Sequence, residues 1–151
     1  AAGCALTGHP RLDQYRQGRL DPARHGDVTE QYDLGMTYCR GFDPVRSQVK
    51  FRHWLCRAAL QGYAPAQYQL GRYYEEHTYF WRAFDATAQN IVQSYVWYGL
   101  AADQGDDMAA QYQSTLANVM SPGMLKEARG LQADWKGRLC SDVRPATDGT
   151  L

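Results

Sequence analysis

The sequence carries no excess of charge of either sign. Its 16 basic and 16 acidic residues give a formal net charge of zero and a pI of about 7.1. Binding to nucleic acid calls for a basic stripe that displaces counterions from phosphates, so that class is set aside. No apolar run approaches the roughly 20 residues needed to span a bilayer, and no charged amphipathic helix of membrane-surface type stands out. The chain reads as soluble. Catalytic constellations are missing too: there is no G-x-S-x-G, no glycine loop to cradle phosphates, and no Cys–His arrangement with a readable third member. The histidines, His9, His25, His53 and His77, never pair at i+3 or i+4, so no helical metal site is implied. His53, beside Trp54, reads as a partly exposed helix residue. Adjacent residues on a helix do not face one another, so Glu75-Glu76 reads as a solvated charge run and not as an acid pair. Cys4, Cys39, Cys56 and Cys140 include no C-x-x-C and no zinc spacing. No enzyme, metal or cofactor is expected.

What the chain does have is self-similarity. Leu34-Gly35 in QYDLGMTYC (31–39) returns 36 residues later as Leu70-Gly71 in AQYQLGRYYEE (66–76). Trp54, Ala58-Ala59 and Gln61-Gly62 return 43 residues later as Trp97, Ala101-Ala102 and Gln104-Gly105. AQYQ (66–69) starts again at 110–113. A unit of this length signals stacked repeats. Ala66, Leu70 and Tyr74 recur at i, i+4 and i+8, a helical period. A glycine inside a helix costs about 1 kcal/mol against alanine, so Gly35 and Gly71 need a packing reason: a second helix too close for a Cβ. Trp97, Ala101 and Ala102 make the facing surface of that second helix, and Gly62 and Gly105 supply its C-cap.

These residues resemble the Sel-one-like repeat family, relatives of the tetratricopeptide repeats. The likeness rests on A-x-x-x-L-G-x-x-Y (Ala66, Leu70, Gly71, Tyr74) and W-Y-x-x-A-A-x-Q-G (Trp97 to Gly105), and it covers about 28–136. Unit one has Glu30 in place of the opening alanine but keeps Leu34, Gly35 and Tyr38. Unit three loses Leu-Gly to Ser114-Thr115, as terminal units often do. The resemblance implies an all-α fold: a right-handed α-solenoid of about two and a half to three helix-turn-helix repeats, with a short N-terminal cap and a C-terminal capping helix. Such a fold binds other proteins and has no single activity.

Read in order, residues 1–9 form a leader or processed N-terminus and 10–139 a single repeat domain, with units at about 28–62, 66–105 and 107–139. Residues 140–151 form a disordered tail. Residues 10–25, with Leu12, Tyr15, Leu20 and Ala23, form a half-unit that caps the first repeat. Asp27 is the N-cap of a helix reaching Arg40, and the turn Gly41 to Pro44 breaks it. The next helix, 46–61, buries Phe51, Trp54, Leu55 and Ala58. Pro65 opens the next, where its missing N–H is harmless. Unit three has a helix over 107–119, then Ser121 as N-cap and Pro122 as first residue of a final helix over 124–139. Leu125, Ala128, Leu131 and Trp135 form the apolar face of that last helix.

Two surfaces are candidates for a partner. The second unit's internal loop exceeds the first's by about seven residues and reads HTYFWRAFDA (77–86). It holds Tyr79, Phe80, Trp81, Arg82 and Phe84. Insertions in repeat proteins often lie on the binding face, but these aromatics also fit a role as core between units. The second surface is the A-helix face opposite the core, concave in tetratricopeptide-like solenoids. There Tyr32, Tyr68 and Tyr112 form a column beside Met36, Arg40 and Arg72, suited to binding or to packing between repeats.

The opening Ala1-Ala2-Gly3-Cys4 resembles the end of a bacterial lipoprotein signal, which implies a lipid anchor at Cys4. The alternative is a cleaved signal that leaves Cys4 free for a disulfide. Both place the protein outside the cytosol, in a bacterial periplasm where disulfides persist, and a cytosolic protein with four unpaired thiols is the remaining reading. At least one disulfide is expected, and not Cys39–Cys56, whose residues would lie roughly 13 Å apart along antiparallel helices. Exported members of the family include immunity proteins that neutralise secreted lipase or phospholipase toxins, so the resemblance implies an inhibitor of such a partner. A scaffold that assembles an envelope complex without inhibition is the other reading.

Overall fold

The protein's computed structural model describes residues 10–38, 44–80 and 84–141, with the backbone alone at 10–13, 44–47, 79–80 and 84–87. Among the described residues there are eight helices and no strand, so the all-α expectation holds. The chain divides into two compact units, one containing the residues up to Gln61 and the other spanning Gly62–Ser141.

In the first unit α1 (Pro10–Arg24) is followed by α2 (Val28–Met36) and α3 (Pro44–Leu60). The chain turns from α1 to α2 without spare residues. Gly26 sits at φ +100°, a left-handed conformation that an L side chain resists, and the Asp27 N–H reaches back to the Pro22 carbonyl at 3.0 Å. Asp27 then caps α2, its carboxylate accepting the N–H groups of Thr29 and Glu30 at 3.0 Å each. Ala23, Leu34 and Trp54, one from each helix, form a buried cluster with Leu20 and Tyr38 packed against it. The half-unit at 10–25 thus contributes core through Ala23 and Leu20, whereas Tyr15 is exposed under the Arg19 guanidinium. Arg19 also pairs with Glu30 and, at 3.0 Å, with Asp33. Arg16 donates to the Thr37 carbonyl at 2.7 Å and lies 4.2 Å over the Tyr38 ring. Phe51, Trp54, Leu55 and Ala58 of α3 are buried as the helical period requires.

The second unit contains α4 (Ala64–Phe80), α5 (Phe84–Ala102), α6 (Asp107–Ala117), α7 (Pro122–Ala133) and α8 (Trp135–Arg138). α5 packs on α4, α6 and α7. The junction seen at Gly26-Asp27 recurs at Gly105-Asp106. Gly105 has φ +93°, the Asp106 N–H reaches the Ala101 carbonyl at 3.2 Å, and Asp106 caps α6 through the Ala109 N–H. Ser121 caps α7 through the Met124 N–H, with Pro122 as the first helical residue. The expected final helix is interrupted, however. Asp134 leaves helical geometry (φ −129°, ψ 43°), which separates α7 from the single turn of α8.

A second correction concerns 77–86, expected as a loop. α4 runs on to Phe80 and α5 begins at Phe84, so the added residues mostly lengthen helices. Between Arg72 and Tyr98 there is no glycine or proline to stop a helix, unlike Gly41 and Pro44 in the first unit. Within α4, His77 Nδ1 lies 2.6 Å from the Tyr73 carbonyl and the Thr78 hydroxyl donates to the Tyr74 carbonyl at 2.9 Å. Trp81 and Arg82 lie outside the described residues, as do Arg40, Cys4 and Cys39. Cys56 and Cys140, the two described cysteines, are both disulfide-bonded.

Buried amides recur at matching places in the two units. Gln61 Nε2 donates to Gln31 Oε1 at 2.8 Å, and Gln104 Nε2 donates to Gln67 Oε1 at 2.6 Å. Gln31 in turn donates to the Ala23 carbonyl at 2.9 Å, which ties α2 to α1. Gln31 and Gln67 are almost completely buried, and burial of an amide is tolerated only with such partners.

The repeated helical glycines have the packing reason expected of them. A Cβ on Gly71 would stand 2.6 Å from Tyr98 Cδ1, and one on Gly35 would stand 3.2 Å from Trp54 Cβ and 3.3 Å from Leu55. Gly71→Ala should lower the melting temperature, because overpacking of about 1–3 kcal/mol outweighs a propensity gain of about 1 kcal/mol. Gly35→Ala should cost less than Gly71→Ala, since Trp54 Cβ and the Leu55 side chain need to give by only a few tenths of an ångström. Thermal unfolding of both variants checks this, and equal effects would contradict it.

Candidate interaction surface

The site begins with a missing side chain. Because Gly71 has no Cβ, the Tyr98 ring of α5 lies directly against the α4 backbone. The Ser94 hydroxyl, one turn earlier on α5 and fully buried, donates to the Gly71 carbonyl at 2.8 Å. Tyr98 is itself fully buried, and its hydroxyl donates to Glu75 Oε2 at 2.6 Å. Two further tyrosines gather on that ring. Tyr112 of α6 stacks on Tyr98 with centroids 5.3 Å apart and planes 19° apart. Tyr68 of α4 leans on both, at 5.8 Å from Tyr98 and 6.2 Å from Tyr112. Three helices therefore contribute to one aromatic cluster, held in tilted and offset arrangements of the kind aromatic pairs prefer.

Tyr68 and Tyr112 are half-buried, so the cluster reaches the surface. Beside it an apolar stripe runs along α6 and the turn after it. Met108, Tyr112, Thr115 and Val119 stand at i, i+4, i+7 and i+11, with Met108 50% and Val119 70% exposed. Burial pushes the Tyr98 phenol far above its ordinary range, and its hydrogen bond to Glu75 adds to the shift. Burial also raises Tyr68, with further contributions from Tyr112 and Asp106, opposed by Arg72. Arg72 pairs with Glu76 at 3.1 Å, an exposed i,i+4 contact that contributes little to stability.

Of the residues singled out in the sequence, the structure brings Tyr68 and Tyr112 together with Arg72 nearby. Tyr32 and Met36 are half-buried on α2, in the first unit. Tyr79, Phe80 and Phe84 are placed only as helical backbone, and Arg40, Trp81 and Arg82 fall outside the described residues. Two expectations are corrected. Glu75 is not part of a solvated run, because it turns toward α5 and receives the Tyr98 hydroxyl. His53 is buried, 3% exposed, with its ring edge-on to Trp54 at 5.1 Å, because it lies on the inward side of α3. Tyr98, which joins the other two rings, is not among the residues that the sequence singles out. Its signal is the glycine repeated inside a helix, which implies a bulky neighbour on the facing helix.

Among the described residues, no group of three or more His, Cys, Asp or Glu side chains could hold a metal ion, and no helix is long and apolar enough to cross a membrane. No family model, curated protein or solved structure matches the chain.

The phenol shift has a consequence that can be measured. The fold holds Tyr98 in its neutral form, whereas an unfolded tyrosine ionises near pH 10. A folded pKa raised above the unfolded one stabilises the protein fully below about pH 10 and loses that contribution as the pH rises further. Tyr98→Phe should cost about 1.5–3 kcal/mol at neutral pH, as a hydrogen bond to a charged group. The gap to wild type should narrow in urea unfolding above about pH 10. A gap that stays constant into the alkaline range would show that Tyr98 does not carry it.

Proposed function

We propose that this chain is a protein-binding module, a Sel-one-like α-solenoid of the bacterial envelope, that holds a partner against the α4–α6 face and neutralises it. The observation that carries this reading is the aromatic cluster of Tyr68, Tyr98 and Tyr112, with Met108 and Val119 exposed beside it. Tyrosine is favoured at interface hot spots, and rings already locked against one another lose little entropy when a partner arrives. The matched glycines Gly35 and Gly71, and the matched pairs Gln31–Gln61 and Gln67–Gln104, support a repeat architecture. Disulfide bonding of Cys56 and Cys140 favours an oxidising compartment such as the periplasm. The partner class, a secreted lipase or phospholipase toxin, follows from the family resemblance.

The test is capture of partners from periplasmic extract by the full chain and by a Tyr68→Ala/Tyr112→Ala variant. Both side chains are half-buried, so the variant should keep its helical signal. A partner retained by the wild type should be held about thirtyfold more weakly by the variant, which corresponds to about 2 kcal/mol. Loss of the partner's lipase activity on binding separates neutralisation from assembly. Equal retention by both proteins would rule out this face.

A further inference from the structure

The face that carries the tyrosines also has a charge preference. Glu75 receives the Tyr98 hydroxyl on one oxygen, and among the described residues no ion pair engages it. Glu76 lies one residue further along α4, and Asp106 and Asp107 open α6, with Asp106 close enough to act on the Tyr68 phenol. The one cation of this group, Arg72, is engaged by Glu76. The surface therefore presents two half-buried tyrosine rings and a carboxylate without an ion-pair partner side by side, next to the exposed Met108 and Val119.

Resting on the protein-binding reading above, we propose that the occupant is a partner segment carrying an arginine or lysine next to an apolar anchor. The cation would sit on Tyr68 and Tyr112 beside Glu75, and the anchor would cover Met108 and Val119. Three physical reasons support this choice. A guanidinium or ammonium is attracted to the faces of tyrosine rings, and more strongly once water is excluded. Glu75 offers such a cation its remaining oxygen, as a charge-assisted hydrogen bond. An acidic segment would meet like charge from Glu75, Glu76, Asp106 and Asp107, and like-charge juxtaposition suppresses wrong partners.

The experiment uses the full chain and two fluorescein-labelled amphipathic helical peptides that share one apolar stripe. One is flanked by arginines and the other by glutamates, and binding is read by anisotropy. The arginine peptide should bind at least about tenfold more tightly at low salt, and the difference should shrink as salt rises. Glu75→Gln retains an acceptor for the Tyr98 hydroxyl but removes the charge. With an unchanged near-ultraviolet dichroism spectrum, it should weaken arginine-peptide binding by roughly threefold to tenfold. Glu127→Gln, on the exposed side of α7, should leave binding as it was. Equal binding of the two peptides, binding of neither, or indifference to Glu75→Gln would each overturn the proposal. Partner capture from extract that depends on the tyrosines but not on Glu75 or salt would overturn the cation preference alone. Capture indifferent to the tyrosines would overturn the protein-binding reading of this face.

Discussion

The approach of α5 to α4 at Gly71 sets the geometry of the second unit. A ring takes the place that a side chain on α4 would fill, and three things follow from its position. The neighbouring Ser94 reaches the α4 backbone, the Tyr98 hydroxyl reaches Glu75, and the outer face of the ring receives Tyr112. The first unit uses the same approach at Gly35, but there the facing residues are Trp54 and Leu55. Leu55 corresponds to Tyr98 by the 43-residue offset, and it has neither a hydroxyl nor a flat ring. The packing arrangement is common to both units, and the polar aromatic surface is built only where a tyrosine occupies it.

That surface is rigid for reasons that lie beneath it. Tyr98 is fixed at its base by burial, at its tip by a carboxylate and on its face by a second ring, so Tyr68 and Tyr112 inherit defined positions. Side chains held in this way have their conformational freedom already restricted, so they would lose little of it in any contact made there. Electrostatics points the same way. Burial and the Glu75 hydrogen bond both favour the neutral phenol of Tyr98, so the ring at the centre of the cluster carries no charge over the physiological range.

Much of this was legible in the sequence, where local chemistry decides the structure. Asp27 and Ser121 read as caps because their side chains satisfy N–H groups that no helix can satisfy for itself, and both do so. Gly62 and Gly105 read as helix ends, and both adopt positive φ. Ala66 and Leu70 read as core from their spacing, and both are fully buried. The failures came where tertiary contact decides. A count of residues showed that the second unit is longer, but it did not show whether the surplus forms a loop or extends a helix. Glu75 looked solvated because its partner is 23 residues away on another helix. His53 looked exposed because polarity alone argued for water, while its neighbours on α3 turned it inward. Tyr68 and Tyr112 were paired by repeat register, yet the residue that joins them lies on the facing helix, which register within one helix row does not reveal.

The paired glutamines bear on how such a sequence can change over generations. Loss of Gln61 alone removes a donor from the buried Gln31 Oε1, and loss of Gln104 alone removes one from Gln67 Oε1. An interior carbonyl that loses a donor destabilises the fold by up to about 1–3 kcal/mol, a large share of a small domain's margin. A lineage therefore exchanges each pair only by passing through a weakened intermediate, so its two members tend to be inherited as one character. Gln111, which occupies the Gln67 position in the third unit, has its side chain in solvent and is under no such constraint. Substitution of Gln111 should therefore be tolerated better than substitution of Gln31 or Gln67.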